Sequence, residues 1–288
     1  MLGNISKELT INSCFELSNT VKMPCIGFGS ATIGEWMEDQ VYINRTAIDL
    51  GYRLFDTSPN YLTESAIGRA IKESGIPRDD FFLATKIEPY DVRRGADFVL
   101  RTFEESLNRM KTDYIDLLMF HWISQGFWLK SYQALELLYR SGRVRAIGMC
   151  NCPRAIFVEI EALCEIRPQV CQQVFNPYCM NNYDRLYCRR NQIVFQAESP
   201  LGNGKEYTFF KEPALLDAAE NHKKTVQQVA LRWCLQHDVG ILPRSSNVEH
   251  IKSNIDIFDF ELTAEEMNKI DMLNEEGTIF MDPYNVNY

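Results

Sequence analysis

The stretch Arg53-Leu54-Phe55-Asp56, running on into Thr57-Ser58-Pro59-Asn60-Tyr61, sets a short apolar run against a polar loop. Such a run is too short for a helix and fits a strand buried on both faces, as in a parallel sheet. The same arrangement recurs along the chain. Apolar runs at Met23–Gly29, Arg53–Asp56, Phe81–Lys86, Tyr114–His121, Val144–Cys150, Gln169–Phe175, Gln192–Ala197 and Val239–Pro243 give eight candidate strands. The stretches between them have helical periodicity. Leu100, Phe103, Leu107 and Met110 recur at spacings of three and four, as do Val226, Val229, Trp233 and His237. Thr225 is placed to cap the second of these helices. Eight strand–helix alternations predict an α/β fold, a (β/α)8 TIM barrel with eight parallel strands, spanning residues 1–288 as one domain. Cys14–Val21 reads as a hairpin closing the barrel bottom, and Leu262–Leu273 as an extra helix followed by a tail. An open doubly wound sheet is the weaker reading, because Gly27-Phe28-Gly29 is only a fragment of a dinucleotide fingerprint.

Composition narrows the function. The 288 residues carry a net charge of -9, with 45% hydrophobic and 24% charged residues. An acidic chain lacks the clustered Lys and Arg that neutralise phosphate backbones, so no nucleic-acid partner is expected. No apolar run reaches the ~18 residues that suggest a membrane span, and no membrane partner is expected. Met1–Cys14 lacks the basic and apolar regions of a signal peptide, and Leu2 excludes the myristoylation pattern. The nine cysteines form no C-x-x-C pair, Cys150 and Cys152 making only a C-x-C. They read as reduced thiols of a cytoplasmic protein, and no metal site is expected.

In a barrel the chemistry sits at the C-terminal ends of the strands. The second candidate strand ends in Asp56 with Tyr61 five residues on, the third in Thr85-Lys86, and the fourth in His121-Trp122. Asp, Tyr, Lys and His thus come from consecutive strand ends and can converge on one point.

These motifs, in this order, resemble the aldo-keto reductase superfamily over nearly the whole chain. Gly148-Met149-Cys150-Asn151 resembles the family's Gly-Val-Ser-Asn, and Ser199-Pro200-Leu201-Gly202 and Pro243-Arg244-Ser245 resemble its cofactor loops. The short loops are more similar to prokaryotic or plant-like members than to steroid-reducing ones. The resemblance implies a nicotinamide-dependent oxidoreductase acting on a small carbonyl compound. It implies Tyr61 as general acid, Lys86 and Asp56 as its tuning pair, and neutral His121 as the group orienting the carbonyl. The assignment makes chemical sense: hydride addition leaves charge on oxygen, tyrosine alone (reference pKa ~10) is a reluctant acid, and an ammonium beside it favours the phenolate.

The resemblance also assigns a cofactor side. Asn151 and Gln172 match residues that bond the nicotinamide carboxamide, beside Cys150 in place of a serine. Ser199, Leu201 and Gly202 match the loop over the pyrophosphate. Arg244 and Ser245 match the grip on the adenosine 2′-phosphate, Asn254 matches an adenine contact, and Gly29 joins this side from the first strand. NADPH is the implied cofactor. Four departures bear on specificity. His250 stands for an arginine at the 2′-phosphate, leaving NADH use open. Ala31 and Glu88 replace aromatic pocket walls, while Trp122 keeps one. Glu198 replaces the aromatic that stacks under the nicotinamide. The pocket is therefore expected to be wide and acidic unless a shifted loop turns either Glu to solvent. Two other readings stay open: a non-catalytic nicotinamide-binding sensor or scaffold, and the same enzyme run as an alcohol or sugar dehydrogenase. The particular carbonyl substrate and the oligomeric state are not legible in the residues.

Overall fold

The apolar runs do fold as parallel strands. The structure, a computed structural model, describes residues 9–31, 33–202 and 209–275. An antiparallel hairpin comes first, β1 (Cys14–Glu16) with β2 (Lys22–Pro24), and its buried Phe15 lies opposite buried Met23. Eight parallel strands follow: β3 (Gly27–Gly29), β4 (Leu54–Asp56), β5 (Phe82–Ile87), β6 (Ile115–Phe120), β7 (Val144–Cys150), β8 (Val170–Val174), β9 (Val194–Glu198) and β10 (Gly240–Ile241). Each pairs with its sequence neighbours in one sheet. Every residue of β5 and β6 is buried, the signature of strands covered on both faces.

The ring closes between β3 and β10. Ile26 bridges Ile241 in parallel, the Ile241 amide donates to the Cys25 carbonyl at 2.9 Å, and the Gly29 amide donates to the Pro243 carbonyl at 3.1 Å. A Cβ at Gly29 would stand 3.3 Å from the Leu242 carbonyl oxygen, so the closing seam is tight at that position.

Two expected boundaries shift. The hairpin extends to Pro24 rather than stopping at Val21, and the first barrel strand begins at Gly27 rather than Met23. The cause is the turn at Thr20, whose left-handed backbone (φ 69°) and Leu17–Val21 hydrogen bond carry Met23 back onto Phe15. The helices follow their apolar periodicity. In Ala96–Met110 the residues Phe103, Leu107 and Met110 are buried. Helix Val226–Gln236 opens on a reciprocal capping box between Thr225 and Gln228. The extra helix runs over Ala264–Asp271, inside the expected Leu262–Leu273, and is capped the same way by Thr263 and Glu266. The expected tail lies outside the described residues from 276 onward. Among the described residues no helix is long and apolar enough to cross a membrane.

Candidate active site

Asp56 ends β4, Lys86 is the last residue but one of β5, and His121 follows β6 directly. Tyr61 ends a short 3-10 turn, Pro59–Tyr61, capped by the Ser58 hydroxyl, which accepts from the Asn60 amide at 3.2 Å. The four side chains meet above the barrel. Lys86 is fully buried and Asp56 nearly so; Lys86 Nζ donates to Asp56 Oδ1 at 2.6 Å and to the Thr57 carbonyl at 3.0 Å. The ammonium lies 5.0 Å from the centre of the Tyr61 ring, so it acts on the phenol through its field. The Tyr61 hydroxyl is hydrogen-bonded to His121 Nε2 at 3.1 Å. The other ring nitrogen, Nδ1, is 2.9 and 3.0 Å from the two carboxylate oxygens of Glu88.

Glu88 is thus neither a pocket wall nor a solvent-facing side chain. It is 1% exposed and takes a further hydrogen bond from the Ser58 hydroxyl. Sequence reasoning gave Ser58 no role. No motif marks it, because its partner stands on the end of the neighbouring strand, 30 residues on, and depends on the path of the loop after β5.

The charges are set by burial against neighbours. Burial pulls the Lys86 ammonium down, but the Asp56 carboxylate, through its charge and its hydrogen bond, opposes this and the group is held above its ordinary value, so it stays charged. Burial pushes the Tyr61 phenol up; Lys86 works against this and only partly offsets it, while Asp56 adds to it. Lys86 thus favours the phenolate as expected, while burial acts in the opposite direction. Tyr61 keeps its proton through neutral pH. Burial also pushes Glu88 up, but its bond to His121, the Ser58 bond and Lys86 bring it below the usual carboxylate range.

Gln172 lies one layer deeper on β8. Its amide donates to Asp56 Oδ2 at 3.0 Å and to Gln196 Oε1 at 2.9 Å, while Cys150 Sγ lies 3.3 Å from its carbonyl oxygen. It braces the Asp56 carboxylate from below, with Gln196, which the sequence did not single out, behind it. Beside this layer the polar strand ends open outward. Asn151 and Glu198 are half-buried, and Asn151 Nδ2 and Cys150 Sγ each lie 3.5 Å from Glu198 Oε2. Asn151 (φ 49°) and Ser199 (φ 51°) both hold left-handed backbone, which disfavours side-chain-bearing residues and marks constrained positions. Ser199 turns into Leu201 and Gly202, whose amide donates to the Ser199 carbonyl at 2.9 Å. Arg244 is exposed after β10, and its guanidinium donates to the Ala31 carbonyl at 2.7 Å, tying together the loops after β10 and β3. The Ser245 hydroxyl accepts from the Asn247 amide at 3.0 Å. Asn247 in turn caps helix Val248–Ile255, on whose first turn His250 is exposed, while Asn254 is buried. Trp122 is buried and tilted against His121, with ring centres 6.5 Å apart.

Amide donors and acceptors at Asn151 and an exposed cation at Arg244 together fit an anionic dinucleotide with a carboxamide ring. A cavity of about 860 Å³ lies at the opposite end of the barrel, between the hairpin and helix Asn182–Arg190. It contains none of the Asp56, Tyr61, Lys86 and His121 groups, so convergent chemistry rather than cavity size locates the site. Among the described residues no group of three or more His, Cys, Asp or Glu is placed to hold a metal ion.

A parallel barrel with a buried Lys–Asp pair, a phenol and an imidazole at its strand ends defines a class of barrel oxidoreductase. The chain belongs to the aldo/keto reductase family, whose model matches residues 25–275. It is an NAD(P)H-dependent oxidoreductase of the kind that acts on aldehydes and ketones. It is 37% identical over 273 residues to a 9,11-endoperoxide prostaglandin H2 reductase of Trypanosoma cruzi, covering 95% of each chain. It is also 37% identical to a glyoxal reductase of Bacillus subtilis, over 95% of this chain and 97% of that one. The crystal structure of an aldo-keto reductase from a Medee basin deep-sea metagenome library superposes with a TM-score of 0.90 at 33% identity, covering 95% of this chain and 99% of that one.

Proposed function

We propose that this chain reduces small aldehydes, ketones or dicarbonyls to alcohols, with NADPH as the preferred donor, NADH as a second, and Tyr61 as the general acid. The observation that carries this reading is the buried Lys86–Asp56 pair beside Tyr61. Burying two charges is costly, and a binding module gains nothing from an ammonium held against a phenol ring. Bound nicotinamide supplies the hydride. As charge builds on the carbonyl oxygen, the Tyr61 hydroxyl passes its proton there. The phenolate left behind is stabilised by the Lys86 ammonium, which cannot move because Asp56 and the Thr57 carbonyl hold it. A phenol that burial keeps protonated is a loaded acid at neutral pH, and only a strong base such as an alkoxide unloads it. In this reading Asn151 bonds the carboxamide and Arg244 meets the 2′-phosphate; an arginine fork suits a phosphate better than a point charge does. Likeness to a glyoxal reductase supports small dicarbonyls among the substrates.

The test is NADPH and NADH oxidation with a panel of aldehydes, ketones and dicarbonyls, run on wild type and Tyr61→Phe. Removing a general acid is expected to cost about 10²–10⁴-fold in kcat, with the cofactor Kd unchanged. Near-wild-type turnover by Tyr61→Phe would overturn the mechanism.

A further inference from the structure

We propose that Glu88 is a positioning residue: its buried carboxylate fixes the proton of His121 on Nδ1, turns Nε2 to the Tyr61 hydroxyl, and makes His121 the proton relay of Tyr61 rather than a neutral orienter of the carbonyl. The inference rests on the reductase reading above and adds to it a residue that is not part of the Asp–Tyr–Lys–His set.

An ionised carboxylate only accepts, and both Glu88 oxygens lie within 3.0 Å of Nδ1. A lone pair on Nδ1 would face that carboxylate, so Nδ1 carries hydrogen. In the neutral ring Nε2 is then an acceptor, and at 3.1 Å it takes the Tyr61 proton. In that state the phenol's hydrogen points at His121, away from any substrate. When the imidazole carries both protons, Nε2–H donates to the Tyr61 oxygen, and the phenol's own hydrogen is released toward the carbonyl. Glu88 supplies the counter-charge that makes the doubly protonated ring tolerable in a buried place.

The step balances. The Tyr61 O–H bond breaks as the alcohol O–H bond forms, and the Nε2–H bond breaks as a new Tyr61 O–H bond forms. His121 ends neutral, with Nδ1–H still on Glu88, and water returns the proton to Nε2. No electrons move beyond the hydride of the reaction itself. Glu88 also accepts from Ser58, the cap of the turn that carries Tyr61, so one carboxylate sets the position of both partners. The titratable and charged groups facing this pair are Tyr61 beyond β4, Asp56 on β4, Lys86 on β5, Tyr90 on the helix after Glu88, and Glu198 on β9.

Three variants separate geometry from charge. Glu88→Gln keeps an acceptor for Nδ1–H and removes the charge; Glu88→Asp keeps the charge; Glu88→Met removes both. Nitrogen-15 spectra of histidine-labelled enzyme read the tautomer. Wild type and Glu88→Gln are expected to show a protonated Nδ1 and a bare Nε2 in the neutral ring, and Glu88→Met to lose that pattern. Glu88→Gln is expected to lower kcat for carbonyl reduction about tenfold with KM within about threefold. The high-pH limb of its kcat profile is expected about one pH unit or more lower. Glu88→Asp should restore the limb toward wild type. A wild-type spectrum with the proton on Nε2 overturns the tautomer, and a Glu88→Gln profile that superposes on wild type overturns the relay. The spectra need no turnover. A wild type inactive on every carbonyl would count against the reductase reading, and the Glu88–His121 assignment would then stand or fall on the spectra.

Discussion

Position 198 shows how one residue can change the energetics of a shared centre. The resemblance leads to an aromatic ring there, and the chain places a half-buried carboxylate instead. Oxidised nicotinamide is cationic and the reduced ring is neutral. A carboxylate at ~4 Å and an effective dielectric of about 20 attracts the cation by on the order of 4 kcal/mol before desolvation. Even about 1 kcal/mol would shift the binding ratio several-fold. Burial pushes the Glu198 carboxyl up, and Lys86, His121 and the Cys150 thiol pull it back only in part. It is therefore neutral at low pH and ionises as pH rises through its raised value. NADP+ affinity relative to NADPH is expected to grow with pH in wild type and to stay flat in Glu198→Gln, read by cofactor titrations at two or more pH values. Identical pH dependence in the two proteins would mean the carboxylate does not reach the ring. Asp56, Tyr61, Lys86 and His121 could be read from the sequence because each stands at or just past a strand end, and strand ends are fixed by apolar runs. Glu88 could not, because its direction depends on whether the chain after Ile87 turns inward, and that is decided by Ser58 and His121, distant in sequence.

Elements were legible where their order is local. The 3.6-residue apolar period marks Ala96–Met110, and Thr225 marks the start of its helix, since both signals lie within a few residues of the structure they dictate. The hairpin runs three residues past its expected end because Met23 reads equally well in either strand, and only its partner Phe15 decides. The C-terminal helix Ala264–Asp271 makes an element-scale test. Its first-turn Glu266 closes the capping box with Thr263 and also meets His222 Nε2 at 3.0 Å and Asn221 Nδ2 at 3.1 Å, pinning the helix to Pro213–His222. Burial opposes the charge, but these bonds bring the carboxyl down to about 2. A depressed carboxyl contributes stability above its unfolded value of ~4.3, and that stability is lost as pH falls through the folded value. Glu266→Gln is expected to cost roughly 1–2 kcal/mol near neutral pH, after discounting for solvent screening, and progressively less toward about pH 2. Urea unfolding of both proteins across that range checks it. A difference that does not change with pH would show that the box contributes through geometry alone.

At the scale of the whole molecule, eight alternations dictate a barrel, but nothing local says where the ring closes or how firmly. Closure joins chain ends: Ile26 meets Ile241, and β10 has only Gly240 and Ile241 in the sheet. By contrast β6 is six residues long, buried throughout and bonded to β5 on one side and β7 on the other. Free energies of local opening follow such differences in buried contact and pairing, so the seam is the part of the barrel expected to open without global unfolding. The same seam carries Gly29 and, through Arg244 on the Ala31 carbonyl, the link between the two loops assigned to the cofactor side. A dinucleotide lying there would bridge β3 and β10, and a ligand stabilises the states it binds over those it does not. Hydrogen exchange followed residue by residue is expected to show the Gly29 and Ile241 amides exchanging about a hundredfold faster than those of β6 in the free protein, equivalent to roughly 2.7 kcal/mol. Saturating NADPH should narrow that gap, because added protection at the seam exceeds the general gain in stability. Equal exchange at seam and centre without cofactor would mean the ring is uniformly closed. A gap that NADPH leaves unchanged would mean the cofactor does not span β3 and β10, and would remove Gly29 and Arg244 from the residues that hold it.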